Sequence, residues 1–137
     1  MSTPLLLDTC AAIWMIEDQL LPATVELLNQ RYRAGEPTFL SPITAWELGL
    51  LFSKRRMRSH RSAPEYFRHM ASLPNIRLAP MPPEILLASH FLPGTPPNDP
   101  ADRILAATAR ECDYTLVTRD TALLDYAAEG HLRALAC

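Results

Sequence analysis

The chain is poor in the residues that several common binding and catalytic motifs require. Only four of its 137 residues are glycine, and neither G-x-x-x-x-G-K-[ST] nor G-x-G-x-x-G occurs, which argues against a phosphate-cradling loop. The three cysteines are odd in number and form no C-x-x-C pair, and the four histidines share no ligand spacing with them. These absences argue against a disulfide scaffold and against a zinc knuckle.

Lysine is almost absent, because the 13 basic residues are 12 arginines and the single Lys54. The formal net charge is -2, so contact with nucleic acid would have to depend on a local basic patch. One such patch is the basic segment, residues 54–61, which contains Lys54, Arg55, Arg56, Arg58 and Arg61. Such runs are usually solvated helix ends or loops, and contact with phosphate groups is the alternative.

Long apolar runs are also missing. The first run, residues 5–7, stops after three residues and has no basic region before it, so we expect neither a signal peptide nor a membrane span. The cysteine usage predicts a reducing, cytoplasmic setting. The length predicts one domain over residues 1–137.

Short apolar runs alternate with helical patterns along the whole chain, which predicts an α/β sandwich with a mainly parallel central sheet. The predicted strands are residues 5–8, 38–40, 76–79, 115–117 and 132–135. The predicted helices cover residues 9–18, 22–34, 64–73, 82–91 and 120–128, and two more begin at Ser41 and Asp99.

Carboxylates follow two of the predicted strands. Asp8 ends the first strand and Asp120 follows the strand at 115–117, so both are expected at the carboxyl edge of the sheet, where ligands bind in such folds. Asp102 falls at the third position of a helix that Asp99 caps and Pro100 begins. Each acid could instead serve only as a helix cap or part of a capping box.

Glu47 lies on an apolar stripe that Ile43, Trp46, Leu50 and Leu51 form at helical spacing, and this stripe is expected to face inward. A carboxylate in such a position needs a partner, unless it lies at the edge of the stripe and reaches water. If these acids converge, they repel one another, and a divalent cation relieves the repulsion. Oxygen ligands favour Mg²⁺ or Mn²⁺, which suits the hydrolysis of phosphate esters.

The chain resembles PIN-domain ribonucleases, and within that group the VapC-type toxins of bacterial toxin–antitoxin pairs. The resemblance lies in Leu5-Leu-Leu-Asp8-Thr9, Ser41-Pro-Ile-Thr-Ala-Trp-Glu47, Asp99-Pro-Ala-Asp102-Arg103-Ile-Leu-Ala-Ala-Thr-Ala and Leu116-Val-Thr-Arg-Asp120. It implies a PIN-domain α/β/α sandwich and cleavage of RNA that depends on Mg²⁺ or Mn²⁺. One departure is Pro97, where many relatives carry histidine.

The same resemblance implies the roles of individual residues. Asp8, Asp102 and Asp120 would be metal ligands, and Glu47 would hold or polarise a water on the metal. The hydroxyls of Thr9 and Thr118 would orient these ligands by hydrogen bonds without contacting the metal. These two threonines complete the predicted site.

The resemblance also implies partners: an RNA substrate, a VapB-like antitoxin that holds the enzyme inactive, and a second copy in a homodimer. The basic segment is the candidate for RNA contact, and it could instead face the antitoxin.

Two other functions compete with this interpretation. A phosphotransfer module normally needs a lysine beside the acid and a second acid two residues later, whereas the only lysine is Lys54 and position 10 is Cys10. A non-catalytic PIN-like module would bind RNA or a partner without cutting, and only the presence of all four acids argues against it.

Overall fold

A five-stranded parallel sheet forms the centre of the molecule. The structure, a computed structural model, describes residues 3–137, so the first two residues of the predicted domain lie outside it. The strand order is β3-β2-β1-β4-β5, and each neighbouring pair is parallel. The strands are β1 (Leu5–Leu7), β2 (Thr38–Leu40), β3 (Ile76–Leu78), β4 (Thr115–Thr118) and β5 (Ala134–Ala136).

Helices connect the strands and cover both faces of the sheet, which confirms the predicted α/β/α sandwich. No helix in residues 3–137 is both long enough and apolar enough to cross a membrane. The helices are α1 (Thr9–Ile16), α2 (Pro22–Arg33), α3 (Pro42–Ser53), α4 (Ala63–Ala71), α5 (Pro83–Ala88), α6 (Pro100–Cys112) and α7 (Thr121–Ala128).

β1 is completely buried because the sheet is covered on both sides. Successive side chains of a strand point to opposite faces, so Leu5 and Leu7 join the core under α1, α3 and α4, and Leu6 joins the core under α6 and α7. All three leucines have no exposed surface. This explains why β1 is uniformly apolar rather than alternating, as is usual for strands inside parallel sheets.

The strand order places a topological switch point between β1 and β4. From β1 the chain moves outward through β2 and β3, and then returns to the other side of β1 with β4 and β5. The loops after β1 and β4 therefore diverge and leave a crevice at the carboxyl edge of the sheet. Asp8 follows β1 directly, and Asp120 follows β4 after one intervening residue, so both lie beside this crevice.

The inward stripe predicted for α3 is wrong. Trp46 is 60% exposed and Leu50 is 39% exposed, whereas Thr44 and Leu48 are the buried residues of this helix. Most positions of α3 are apolar and they occur on all sides of the helix, so the periodicity could not identify which face is buried. The core-facing line instead follows i, i+4 spacing through Thr44 and Leu48, and Glu47 lies beside that line, half-buried.

Most predicted boundaries differ from the observed ones by one to three residues, and two of these differences are informative. The helix predicted to continue to Phe91 ends at Ala88, and Phe91 is one of the most exposed side chains. The last strand begins at Ala134 rather than at residue 132, because Leu132 packs into the core from the turn before the strand. The hydrophobic pattern thus identified Leu132 as buried, but it did not identify which residues pair in the sheet.

Replacing Leu6 by alanine should reduce the free energy of unfolding by about 2–5 kcal/mol, because the side chain is fully buried between the sheet and its helices. Urea denaturation measures this change. Leu87→Ala is the matched control, since Leu87 is 62% exposed and its loss should cost less than about 0.5 kcal/mol. Similar destabilisation by the two variants would contradict the central position of β1.

Candidate functional site

Asp8 is fixed at the junction of β1 and α1. Its backbone N–H donates to the Val117 carbonyl at 3.0 Å, which continues the pairing with β4 beyond the end of β1. One carboxylate oxygen, Oδ1, accepts from the Ala11 N–H at 2.7 Å and caps α1, and Oδ2 accepts from the Thr118 hydroxyl. The side chain is buried, and every donor to it is neutral.

Asp120 begins α7 but does not cap it. Its backbone N–H donates to the Thr118 hydroxyl oxygen at 3.0 Å, so Thr118 contacts both acids that follow strands. The Asp120 carboxylate makes no capping hydrogen bond to α7. The possibility that Asp120 serves only as a helix cap is therefore not supported, and its carboxylate is available to the crevice.

Glu47 reaches the site from α3. The Thr9 hydroxyl donates to Glu47 Oε1, and the hydroxyl oxygens of Thr9 and Thr44 lie 3.1 Å apart. Burial raises the pKa of Glu47; the Thr9 hydrogen bond lowers it, and the neighbouring Asp99 and Asp8 raise it. Glu47 and Asp8 therefore influence each other although 39 positions separate them in the sequence.

Asp102 lies in the first turn of α6, where Asp99 caps the helix by accepting from the Asp102 N–H at 3.0 Å. Burial, followed by the negative charges of Asp99, Asp120, Glu47 and Asp8 in that order, raises the pKa of Asp102 to about 7. A helix N-terminus normally favours the charged carboxylate. Here burial and repulsion outweigh that preference.

The four predicted acids therefore converge on one crevice without a cation to neutralise them. Burial is the largest cause of the raised pKa of Asp8, and the charge of Asp120 also raises it. Within the described residues, none of the ion pairs includes any of the four acids, which are Asp8, Glu47, Asp102 and Asp120. Like charges that share a buried site favour protonation or a bound cation.

The arginines beside two of the acids are directed elsewhere. Arg103 follows Asp102, and its guanidinium donates to the carbonyls of Ser89 and Pro97. Arg119 precedes Asp120, and its guanidinium donates to the Cys137 carbonyl and lies 4.0 Å from the centre of the Trp14 ring. Neither arginine compensates the acid next to it.

The donor set fits a hydrated Mg²⁺ or Mn²⁺ by its chemistry, since all of its donors are carboxylate oxygens. In residues 3–137, however, no three acidic, histidine or cysteine side chains are arranged so that they could hold a metal ion together. The acids approach one another without closing a ligand shell. Mg²⁺ commonly takes only one or two carboxylates directly and keeps several waters, so it does not require three carboxylates in contact with the ion.

The basic segment is not part of the acid group. It begins at Lys54, the residue that follows α3, and its basic residues are exposed except for the half-buried Arg61. α3 begins at the same edge of the sheet as the acids and runs away from it. Lys54 is seven positions after Glu47, which corresponds to about 10 Å along the helix axis.

Two residues contribute to the site that sequence reasoning did not include. Asp99, interpreted only as a cap, is the charge that raises the pKa of both Asp102 and Glu47 the most. Cys10 is in the first turn of α1, and burial followed by the charges of Asp8, Glu47 and Asp102 raises its pKa to about 11. The spacing of Asp99 indicated only a helix cap, so its electrostatic effect on the site was missed. No sequence pattern indicated Cys10.

The sequence matches a known protein family and a named relative over most of its length. A family model of the PIN domain matches residues 5–129. Ribonuclease VapC22 of Mycobacterium tuberculosis (strain ATCC 25618 / H37Rv) is 29% identical over 122 residues, which cover 88% of this chain and 90% of that protein.

Solved structures share the fold. VapBC2 from Rickettsia felis, bound to a DNA fragment from its promoter, matches with a TM-score of 0.69 and 14% identity, over 96% of this chain and 97% of that chain. DNA-bound VapBC from Salmonella typhimurium matches with a TM-score of 0.65 and 19% identity, over 98% of both chains. At such low identities, these two matches establish the fold alone.

Without metal, the stability that Asp102 contributes should fall as the pH rises from about 4 to about 7. The folded protein keeps the Asp102 proton up to a pKa of about 7, whereas the unfolded chain releases it near the ordinary value of 3.8, so rising pH favours unfolding. Asp102→Asn should therefore raise the metal-free Tm more at about pH 8 than at about pH 5.

Thermal melts in EDTA measure this difference. Asp125→Asn, at an exposed position of α7 outside the acid group, is the control and should change the Tm little. An Asp102→Asn effect that is equal at both pH values would show that the carboxyl is not held protonated.

Proposed function

The chain belongs to the PIN domain family, and on that premise we propose that it is a VapC-like, metal-dependent endoribonuclease that a cognate antitoxin inhibits. The observation that carries the proposal is the convergence of Asp8, Glu47, Asp102 and Asp120 at the switch point of the sheet, where no cation from residues 3–137 is paired to them. The similarity to Ribonuclease VapC22 supports RNA as the substrate.

We propose Mg²⁺ or Mn²⁺ as the ion, with Asp8 as a direct ligand and Asp102 and Asp120 as ligands directly or through water. When bound, the ion supplies an activated water and offsets the charge that develops on the phosphate. Asp8 is held in place by its bonds to Ala11 and Thr118, and each carboxylate oxygen keeps a lone pair for a further contact.

Glu47 is proposed to orient the water that attacks the phosphate. Its Oε1 is fixed by the Thr9 hydroxyl, and Thr9 in turn contacts Thr44 in the same helix as Glu47. These hydroxyls leave the negative charge in place while they restrict the rotamer of the carboxylate. Thr9 and Thr118 are therefore proposed to orient the ligands by hydrogen bonds without contacting the metal.

The basic segment is proposed to contact the RNA backbone. It begins about 10 Å beyond Glu47 along the axis of α3, a distance that a short stretch of RNA can span. The exposed cations can thus bind phosphates that flank the cleaved one.

A VapB-like antitoxin and a second copy of the chain are the proposed protein partners. The structures that share this fold carry the names of VapBC complexes. Large apolar side chains of this chain are exposed, including Trp46 at 60% and Phe91 at 82%, which suits surfaces that a partner covers. We place the reaction in the cytoplasm, where RNA is available and thiols stay reduced.

Asp120→Asn should reduce metal-dependent RNA cleavage by at least about 100-fold without lowering the metal-free Tm. The substitution removes a ligand and a repulsive charge, and the Asp120 side chain makes no capping hydrogen bond that could be lost. Cleavage of a defined RNA with Mn²⁺ or EDTA, together with melts in the same buffers, measures both effects.

Asp125→Asn on the exposed side of α7 is the control for charge and should cleave as the wild type does. If Mn²⁺ raises the Tm of the wild type no more than that of Asp120→Asn, the ligand assignment is wrong. Equal cleavage by wild type and variant would indicate a contaminating nuclease. Binding of Mn²⁺ and RNA by the wild type without cleavage would favour the non-catalytic alternative.

Replacing Arg55, Arg56 and Arg58 together by glutamine should weaken RNA binding and flatten its salt dependence by about one unit of slope for each lost phosphate contact. Mn²⁺ affinity should stay unchanged, because these exposed residues lie outside the acid group. Filter binding at several salt concentrations measures the slope. An unchanged slope would exclude the segment from the RNA interface.

A further inference from the structure

The loop that leads into α6, residues 93–98, is held by side chains from other parts of the chain. We call it the 93–98 loop. The Tyr126 hydroxyl donates to the Pro93 carbonyl at 2.7 Å, and the Thr95 N–H donates to Glu129 Oε1 at 2.9 Å. Arg103 Nη1 donates to the Pro97 carbonyl at 3.1 Å. Both ends of the loop are thus fixed by specific hydrogen bonds.

Arg103 connects this loop to the helix that carries Asp102. Besides Pro97, its Nε donates at 2.9 Å to the carbonyl of Ser89, the residue that follows α5. One guanidinium therefore joins the end of α5, the end of the loop and the first turn of α6. A planar fork with fixed donor directions can bind two carbonyls at once, which a lysine ammonium does less specifically.

The loop also has little freedom to adjust. It contains three prolines, at positions 93, 96 and 97, whose rings fix φ. Gly94 has φ +69°, and a Cβ at this position would come within 2.5 Å of the His131 ring and 2.6 Å of Glu129 Oε1. The loop therefore packs directly against the turn after α7. Because the loop leads into α6, its position also affects where α6 begins.

Arg103 makes no ion pair within the described residues. Its contacts therefore fix the positions of backbone segments and do not neutralise a carboxylate. We propose that Arg103 is a positioning residue: it fixes the 93–98 loop against the first turn of α6 and so holds Asp102 within the acid group. The consequence for metal binding rests on the proposed function, whereas the fixing of the loop does not.

Hydrogen–deuterium exchange of the metal-free protein tests the fixing of the loop. In Arg103→Gln, peptides that cover residues 95–103 should exchange at least about tenfold faster than in the wild type, because the donors to Ser89 and Pro97 are lost. Arg103→Lys should fall between the two. Arg68→Gln, an exposed position of α4, is the charge-matched control and should leave exchange unchanged.

Tyr126→Phe provides a second variant, since it removes only the hydroxyl that donates to Pro93. It should accelerate exchange of the same peptides by a smaller factor, and Arg103→Lys decides the test of Arg103 if Arg103→Gln does not fold. Wild-type exchange in the variants that fold would overturn the proposal.

Mn²⁺ titration tests the consequence for the site. Arg103→Gln should raise the Mn²⁺ Kd and the Mn²⁺ concentration for half-maximal cleavage about tenfold, with an unchanged KM for RNA. Faster exchange with an unchanged Mn²⁺ Kd would also overturn the positioning role. If the wild type itself neither binds Mn²⁺ nor cleaves RNA, the proposed function fails, and the exchange result still decides whether Arg103 fixes the loop.

Discussion

Repulsion between buried carboxylates is the constraint on which the rest of this structure depends. Asp8, Glu47 and Asp102 each have a raised pKa, with burial as the largest cause and neighbouring acids adding to it. Such an arrangement opposes folding, so the surrounding scaffold has to be stable without it. The fully buried β1 supplies that stability immediately before Asp8, because its three leucines pack into the cores on both faces of the sheet.

The topology determines which residues experience this repulsion. Parallel strands end at the same edge, and the switch between β1 and β4 opens a crevice there. Asp8 and Asp120 come to the crevice from neighbouring strands, and Thr118 contacts both. α3 and α6 then bring Glu47 and Asp102 from the two halves of the chain. The same edge-sharing rule explains why the basic segment, at the far end of α3, is not part of the group.

Much of this could be predicted from the sequence, because strand ends and helix caps are local signals. The alternation of elements predicted the sheet, and the positions of Asp8 and Asp120 after strands predicted their common edge. The argument for Glu47 was less sound: the stripe that placed it inward is wrong, and its half-buried position comes from a contact with Thr9 across 38 positions. The influence of Asp99 on Asp102 and Glu47 also arises only in three dimensions.

The choice of hydrogen-bond donors explains why the charge at the site persists. Asp8 accepts from a backbone N–H and from a hydroxyl, and Glu47 accepts from a hydroxyl. These donors fix the carboxylates in space but leave their negative charge uncancelled. A lysine or arginine in the same places would orient the acids equally well and would remove the need for a cation. Since Arg103 and Arg119 are adjacent to two acids and yet bind carbonyls instead, the local structure leaves these acids without an ion pair within residues 3–137, as the proposed divalent ion requires.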